Sequence, residues 1–297
     1  MTAIEQGFLL LTCPFGDPER PILTTAQFRT LAKRATQMEK PLDQRDLTAE
    51  DVMALGYGAD FANRVIRLLE QEDLLAHYLH RAARSGCRSI SRVSEGYPLK
   101  LRKKLDLDSP GSLWAKGDLS LLDAPMIALV GSRDLRPENG TFAAKLGAEA
   151  ARQGYVLVSG NARGADRTAQ NACLNAGGRV VSVLADELEK YPVRENLLYL
   201  AEDGFDLPFS AQRALSRNRV IHALGDKTFV AQVTDGHGGT WDGTVKNLRF
   251  GWSSVFCFCD GSAGVQKLIQ MGANGVEITD ITDICGLTPN NFSLFDT

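Results

Sequence analysis

The run Ile127-Ala128-Leu129-Val130-Gly131-Ser132-Arg133 is an apolar stretch that ends in a glycine, a serine and an arginine. A helical pattern follows it, and the same order recurs at residues 156–166, which read Val-Leu-Val-Ser-Gly-Asn-Ala-Arg-Gly-Ala-Asp. Glycine lets the backbone approach a ligand where a strand ends, and the next helix directs free N–H groups and its positive dipole end at an anion. With Arg133 and Arg163 beside the two turns, the sequence predicts a site for a phosphorylated ligand.

Strand-like and helix-like patterns alternate from residue 126 onward. The predicted strands lie near 126–131, 155–159, 179–184, 205–208, 227–233, 254–259 and 275–278, and the predicted helices at 138–153, 165–176, 193–203, 211–224, 240–250 and 263–271. This alternation predicts an α/β fold with a doubly wound, mostly parallel sheet and helices on both faces. Ligands bind such sheets at the carboxyl ends of the strands, where the glycine turns fall.

The first 85 residues have a helical pattern and predict a small, separate domain. Apolar residues recur at helical spacing over 61–83, which predicts one long amphipathic helix. Just before it, Leu55-Gly56-Tyr57-Gly58 has the form of a helix-hairpin-helix turn, which either contacts a DNA phosphate or only packs two helices. We divide the rest into a connector (86–125), a core (126–280) and a C-terminal tail (281–297).

The composition of the chain narrows the classes of function that it can have. The chain has 297 residues, 44% of them hydrophobic, and a net charge of -3, so nucleic acid could be bound only through a local basic patch. Its six cysteines lack the paired spacings of a zinc site. No signal peptide and no apolar run of ~18 residues is evident, which predicts a cytoplasmic protein away from membranes. We expect no metal and no cofactor.

Several short motifs occur in a fixed order. They are Tyr97-Pro98, Gly131-Ser132-Arg133, the stretch from Ser159 to Asp166, Gly177-Gly178, Tyr191-Pro192 and Arg217-Asn218-Arg219-x-Ile221. In this order the chain strongly resembles the DNA-processing protein A family (DprA, also called Smf) over about residues 55–275. The residues after 280 are too few for the winged-helix domain that many family members carry at the C-terminus.

The resemblance implies a Rossmann-like core that binds single-stranded DNA, forms a homodimer and helps to load a recombinase. It also implies a set of phosphate- or DNA-binding residues: Gly131, Ser132, Arg133, Ser159, Gly160, Arg163, Gly164, Asp166, Arg217, Asn218 and Arg219. Arginine suits this role because its guanidinium binds phosphate through two hydrogen bonds. Two alternatives stay open. Arg217 and Arg219 could instead tie their helix to the sheet, and Asp166 is expected to order its loop or cap a helix.

The turn at 236–244 departs from the family pattern. It reads Gly-His-Gly-Gly-Thr-Trp-Asp-Gly-Thr and looks more like the phosphate turn of the related cytokinin-activating phosphoribohydrolases. Gly238, Gly239 and Thr240 could form an anion nest at a helix N-terminus. Beside them, Asp242 is a candidate catalytic carboxylate and Trp241 a candidate for base stacking. The alternatives are helix caps for Thr240 and Asp242 and a core position for Trp241.

Two main functional hypotheses follow from these motifs. The first is a DprA-like protein that binds single-stranded DNA through its core, and the second is an enzyme that cleaves an N-glycosidic bond in a nucleotide or DNA base, in defence against foreign DNA. In that enzyme Asp242 would act while Arg133 and Arg163 hold phosphate. A third is a nucleotide sensor without turnover. The histidines on helical patterns, His77, His80 and His222, receive no role.

Overall fold

A computed structural model describes residues 1–38 and 47–289, and these residues are built around one sheet. Within them the sheet has nine strands in the order β1-β2-β6-β5-β4-β3-β7-β8-β9. The strands are β1 (Arg88–Ser91), β2 (Ser112–Lys116), β3 (Met126–Val130), β4 (Val156–Ser159), β5 (Arg179–Leu184), β6 (Leu197–Glu202), β7 (Lys227–Val230), β8 (Ser254–Phe258) and β9 (Asn274–Val276). β2 pairs antiparallel both with β1 at the edge of the sheet and with β6, and the other six pairings are parallel.

The chain winds outward from the middle of the sheet in two directions. From β3 it proceeds through β4 and β5 to β6, and it then returns to pair β7 with the other side of β3. This reversal is the switch point at which parallel sheets open a crevice beyond their carboxyl ends. The predicted α/β class and doubly wound, mostly parallel sheet are therefore confirmed.

Helices cover both faces of the sheet. The described residues contain α1 (Ala3–Thr12), α2 (Thr25–Ala35), α3 (Ala49–Ala54), α4 (Ala59–Leu69), α5 (Glu72–Arg84), α6 (Leu99–Leu105), α7 (Pro137–Arg152), α8 (Ala165–Asn175), α9 (Ala211–Ser216), α10 (Asn218–Leu224), α11 (Gly238–Phe250) and α12 (Ala263–Gln270). Phe142 and Leu146 of α7 share one apolar cluster with Leu129 of β3. Ile221 of α10 shares a second cluster, on the other face, with Val130. Both clusters are closed from water, which gives the sheet two buried faces.

Two predicted elements are wrong in type. The helix predicted at 193–203 is strand β6, and the strand predicted at 205–208 lies outside the sheet, with Phe205 buried against Trp114. All six residues of β6 are buried, so the run has no polar alternation that would separate a strand from a buried helix. The predicted connector (86–125) contains β1 and β2, which extend the sheet beyond β6.

Two predicted helices are each divided in the structure. The helix over 61–83 is replaced by α4 and α5, which are separated at Glu70 and Gln71. The helix over 211–224 is replaced by α9 and α10, with Arg217 shared by the end of one and the start of the other. α4 and α5 both bury apolar residues at helical spacing, which is why periodicity alone merges that pair.

The N-terminal helices pack directly on the sheet. Tyr78 of α5 contacts Trp114 edge-on with ring centroids 5.2 Å apart, and its hydroxyl donates to Asp206 at 2.5 Å. In the 55–58 turn, Tyr57 stacks on Phe61 at 4.5 Å, and Arg34 donates to the Leu55 carbonyl at 3.0 Å. These contacts favour the packing alternative for the turn.

The domain boundaries stay a prediction, and the end of the predicted tail, 290–297, lies outside the described residues.

His222 of α10 is enclosed beneath the sheet in a polar network. Asn247 Nδ2 lies 3.1 Å from His222 Nδ1, and Asn247 Oδ1 accepts from the Ser253 N–H at 2.9 Å, which fixes the amide orientation. Because the amide nitrogen can only donate, His222 Nδ1 accepts and its ring is neutral. Burial lowers the pKa of His222 from 6.5 to about 3.

We predict that this histidine makes the fold sensitive to acid. An unfolded chain protonates His222 below about pH 6.5 while the folded chain does not, so stability present above that pH is lost as the pH falls toward 3. At about pH 5 the loss is about 2 kcal/mol. The free energy of unfolding in urea, measured at several pH values, should lose this part of its pH dependence in His222→Gln. The exposed control His77→Gln should keep it. If the free energy of unfolding depends on pH equally in His222→Gln and the wild type, His222 is not the source of the acid sensitivity.

Candidate phosphate and nucleic-acid site

The first glycine turn follows β3 and is clamped between two elements. The Ser132 N–H donates to the Gln232 carbonyl at 3.1 Å, and the Ser132 carbonyl accepts from the Ala165 N–H at 3.1 Å. A Cβ at Gly131 would lie 2.5 Å from the Ala165 Cβ, so only glycine lets the turn pass so near α8. The turn is therefore fixed between the residues after β7 and the start of α8.

The second turn follows β4 and is ordered by Asp166. Its Oδ2 accepts from the backbone N–H groups of Gly160 at 3.1 Å and Ala162 at 3.2 Å. Burial raises the pKa of Asp166, while the Arg217 guanidinium and the two N–H donors act in the opposite direction. Asp166 thus has the loop-ordering contacts expected from the sequence. Gly164 has φ +85°, and a Cβ there would overlap the carbonyls of Ser132 and Arg133, so the two turns touch.

Arg217 lies against the second turn with its charge largely uncompensated. The residue is 8% exposed, and its Nη2 lies 3.9 Å from Asp166 Oδ2, which is too far for a hydrogen bond. Its Nε and Nη1 are buried and have no hydrogen-bond partner among the described residues. A Cβ at Gly160 would overlap the guanidinium, so glycine is required at that position as well. Burying a cation with so few contacts is costly unless an anion completes its hydrogen bonds.

A cavity of about 600 Å³ joins the two turns to the start of α11. The predicted residues that line it are Gly131, Ser132, Arg133, Asp166, Arg217, Asn218, Gly238, Gly239 and Thr240. Asn218 donates to the Gly239 carbonyl at 2.9 Å and so ties α10 to the start of α11. The N-cap of that helix, His237, makes no side-chain cap hydrogen bond. The positive end of the α11 dipole therefore lies at the same cavity as the two arginines.

A second cavity, of about 290 Å³, lies on the other side of Arg133 and Arg217. Its lining includes Arg163, Arg167, Asp186 and Tyr191. Phe209 borders both cavities and is 55% exposed. Sequence reasoning missed Phe209, because an exposed phenylalanine in a loop cannot be told from a buried one by its neighbours in the chain.

Two predicted binding residues are turned away from these cavities. Ser159 is fully buried, and its hydroxyl accepts from Gln170 at 2.7 Å. Arg219 donates to both carboxylate oxygens of Glu202, at 3.1 and 2.6 Å, and to the Asp108 carbonyl at 2.7 Å. The contacts of Arg219 support the alternative in which it ties its helix to the sheet.

Trp241 and Asp242 also lie elsewhere. Both line a third cavity, of about 900 Å³, whose lining does not include Arg133 or Arg163. Asp242 is exposed, and Trp241 is half-buried against the apolar cluster beneath it. Neither Thr240 nor Asp242 caps α11, because His237 is its N-cap. Asp242 therefore lines a different cavity from the one that Arg133 and the first glycine turn line.

A family comparison fits this arrangement of turns. The model of a family described as DNA recombination-mediator protein A matches residues 88–287. The chain belongs to this family. It is 30% identical over 207 residues to DNA processing protein DprA of Bacillus subtilis, covering 64% of this chain and 68% of the relative. It is 29% identical over 205 residues to the Streptococcus pneumoniae DprA, covering 62% and 69%.

Solved structures of DprA proteins have the same fold. The X-ray structure of Streptococcus pneumoniae DprA superposes with a TM-score of 0.67 at 25% identity, covering 90% of this chain and 99% of that one. A Helicobacter pylori DprA structure, described for its single-stranded DNA binding mode, superposes with a TM-score of 0.56 at 25% identity, covering 66% and 94%. The first of these superpositions extends well beyond the segment that the family model matches.

The described residues lack two kinds of feature. In residues 1–38 and 47–289, no helix has the length and hydropathy needed to cross a bilayer. Over the same ranges, no three His, Cys, Asp or Glu side chains are grouped as metal ligands.

We predict that Gly160→Ala destabilises the fold by about 1–3 kcal/mol, because the new methyl group collides with the Arg217 guanidinium. Urea unfolding measures this cost. Gly96→Ala is the control, since a Cβ there meets nothing within 4 Å. The double variant Gly160→Ala, Arg217→Ala should cost less than the sum of the two single changes. Strict additivity would show that the two positions do not interact.

Proposed function

We propose that the chain binds single-stranded DNA at the two cavities that meet at Arg133 and Arg217. The observation that carries this proposal is the buried Arg217 guanidinium, whose Nε and Nη1 have no partner in the described residues. A phosphate oxygen supplies the acceptor that these donors lack, and charge-assisted bonds of this kind are among the stronger ones in proteins.

The charges around Arg217 suit a phosphate. Arg133, Arg163 and Arg167 line the second cavity with it, although the whole chain carries a net charge of -3. Arg163 pairs with Asp134 at 2.5 Å, but both side chains are exposed, and an ion pair between exposed side chains contributes little. An incoming phosphate therefore competes with Asp134 at low cost.

The aromatic side chain at the boundary of the cavities favours a single strand over a duplex. Phe209 offers an exposed ring next to both cavities. Unpaired bases stack on such rings, whereas the bases of a duplex are already stacked and paired. The Helicobacter pylori relative, described for single-stranded DNA binding, supports the same choice of ligand.

We further propose the partners and compartment that family membership suggests. The family is described as a recombination mediator, which supports a recombinase as a partner. A homodimer is the form that the family resemblance implies. All six cysteines are unpaired, as in proteins of a reducing cytoplasm.

Removing Arg133 and Arg163 together should weaken binding to oligo(dT) and reduce its salt dependence. If each arginine neutralises one phosphate, the slope of log affinity against log salt should fall by about 1.4 for a single strand. Fluorescence anisotropy at several salt concentrations measures both quantities. The matched control is Lys246→Ala with Arg249→Ala, which removes the same charge from the third cavity. Equal losses for the two double variants would show that only net charge matters.

Asp242→Asn should leave DNA affinity and stability unchanged, because Asp242 is exposed and lines a different cavity. The wild type should also release no free base from DNA or nucleotides, as read by mass spectrometry. Base release that Asp242→Asn abolishes would overturn the binding proposal in favour of the glycosidase alternative.

A further inference from the structure

One carboxylate lies among the arginines of the second cavity. Asp186 follows the carboxyl end of β5 and is the single acidic side chain among the described residues that line this cavity. A carboxylate repels a phosphate, so the DNA backbone is unsuited to this part of the cavity. Phosphate is favoured beside Arg133 and Arg217, and a different part of the nucleotide is favoured beside Asp186.

Tyr191 holds Asp186 in one orientation. Its hydroxyl donates to Asp186 Oδ2 at 2.8 Å, and its ring packs on Tyr199 with centroids 5.0 Å apart. Burial, followed by the hydrogen bond to Asp186, raises the pKa of Tyr191 to about 12, so the hydroxyl stays protonated at neutral pH. An ionised carboxylate has about four acceptor sites, so Asp186 retains acceptor capacity for a ligand.

We infer that the second cavity receives a base of the bound strand and that Asp186 favours guanine over thymine. This inference rests on the proposed single-stranded DNA binding. The cavity, of about 290 Å³, has room for a nucleobase, and Phe209 at its border offers a ring on which the base can stack.

The preference follows from the edges that the bases present. Guanine places two N–H donors, on N1 and N2, side by side, which matches the two oxygens of a carboxylate. Thymine has one N–H donor between two carbonyl oxygens, which a carboxylate repels. Adenine and cytosine each have an amino group beside a ring acceptor, and so they lie between these extremes. A matched bidentate pair discriminates by about fivefold to a hundredfold.

The test compares end-labelled oligo(dT) with strands of the same length in which isolated thymines are replaced by guanine. Isolated guanines avoid quadruplex formation. Fluorescence anisotropy should show at least about fivefold tighter binding of the guanine-containing strand to the wild type. Asp186→Asn should remove this preference without weakening oligo(dT) binding, because an amide both donates and accepts.

Two further variants separate base selection from a general structural effect. Glu187→Gln is the matched control, since its carboxylate accepts from Lys190 at 2.6 Å and does not line the cavity. It should keep the wild-type preference. Tyr191→Phe removes the bond that orients Asp186 and should reduce the preference at constant oligo(dT) affinity, as expected for a positioning residue. If Asp186→Asn does not fold, the ratio of affinities for the guanine-containing strand and oligo(dT) is measured with Asp186→Ala instead.

The outcomes distinguish this inference from the function on which it rests. Wild-type binding to oligo(dT) without a guanine preference, or a preference that survives Asp186→Asn, overturns the inference and leaves the binding proposal in place. Failure of the wild type to bind any single strand overturns the proposed function and the inference together.

Discussion

The buried Arg217 guanidinium is the constraint on which the rest of the site depends. It lies at the junction of α9 and α10, and it requires glycine at position 160 because any side chain there would overlap it. The acidic group beside it, Asp166, accepts hydrogen bonds from two backbone N–H groups of the second turn. One carboxylate therefore orders the loop and offsets the cation only in part. The part of the charge that Asp166 does not offset is the basis on which we propose that the cavity binds an anion.

The sheet topology explains why these groups meet. β3 and β4 are parallel neighbours and β7 pairs with the other side of β3, so the residues after these strands converge at one edge. The carbonyl of Ser132 accepts from the start of α8, and the residues after β7 lead directly into α11. A change in any of the three turns would move the other two, because they are joined by backbone hydrogen bonds rather than by flexible side chains. The site is thus preorganised by the fold.

The sequence predicts the turns better than it predicts their surroundings. Glycine, serine and arginine after an apolar run form a local signal, and their positions at the cavity follow from parallel pairing alone. Arg217 and Arg219 look equivalent in sequence, yet residues two apart point to different sides of a helix, so one lines the cavity while the other binds Glu202. The same geometry separates Thr240 from Asp242. The sequence predicts a helix where strand β6 lies, because a strand that is buried on both faces has no alternation of apolar and polar residues.

Under the proposed function, the distribution of charge assigns the phosphates and a base of the bound strand to different parts of the two cavities. Arginines cluster after β3 and β4, while the residue that follows β5 is a carboxylate, and the overall charge of -3 supplies no long-range attraction to DNA. Affinity must then come from a few phosphate contacts together with stacking and contacts to base edges. Duplex DNA offers only the phosphate contacts, because its bases are already stacked on one another and paired through their Watson–Crick edges. Under the proposed function, we therefore expect a chain that is basic at the site but acidic overall to bind duplex DNA weakly, because it lacks the nonspecific attraction on which duplex binding depends.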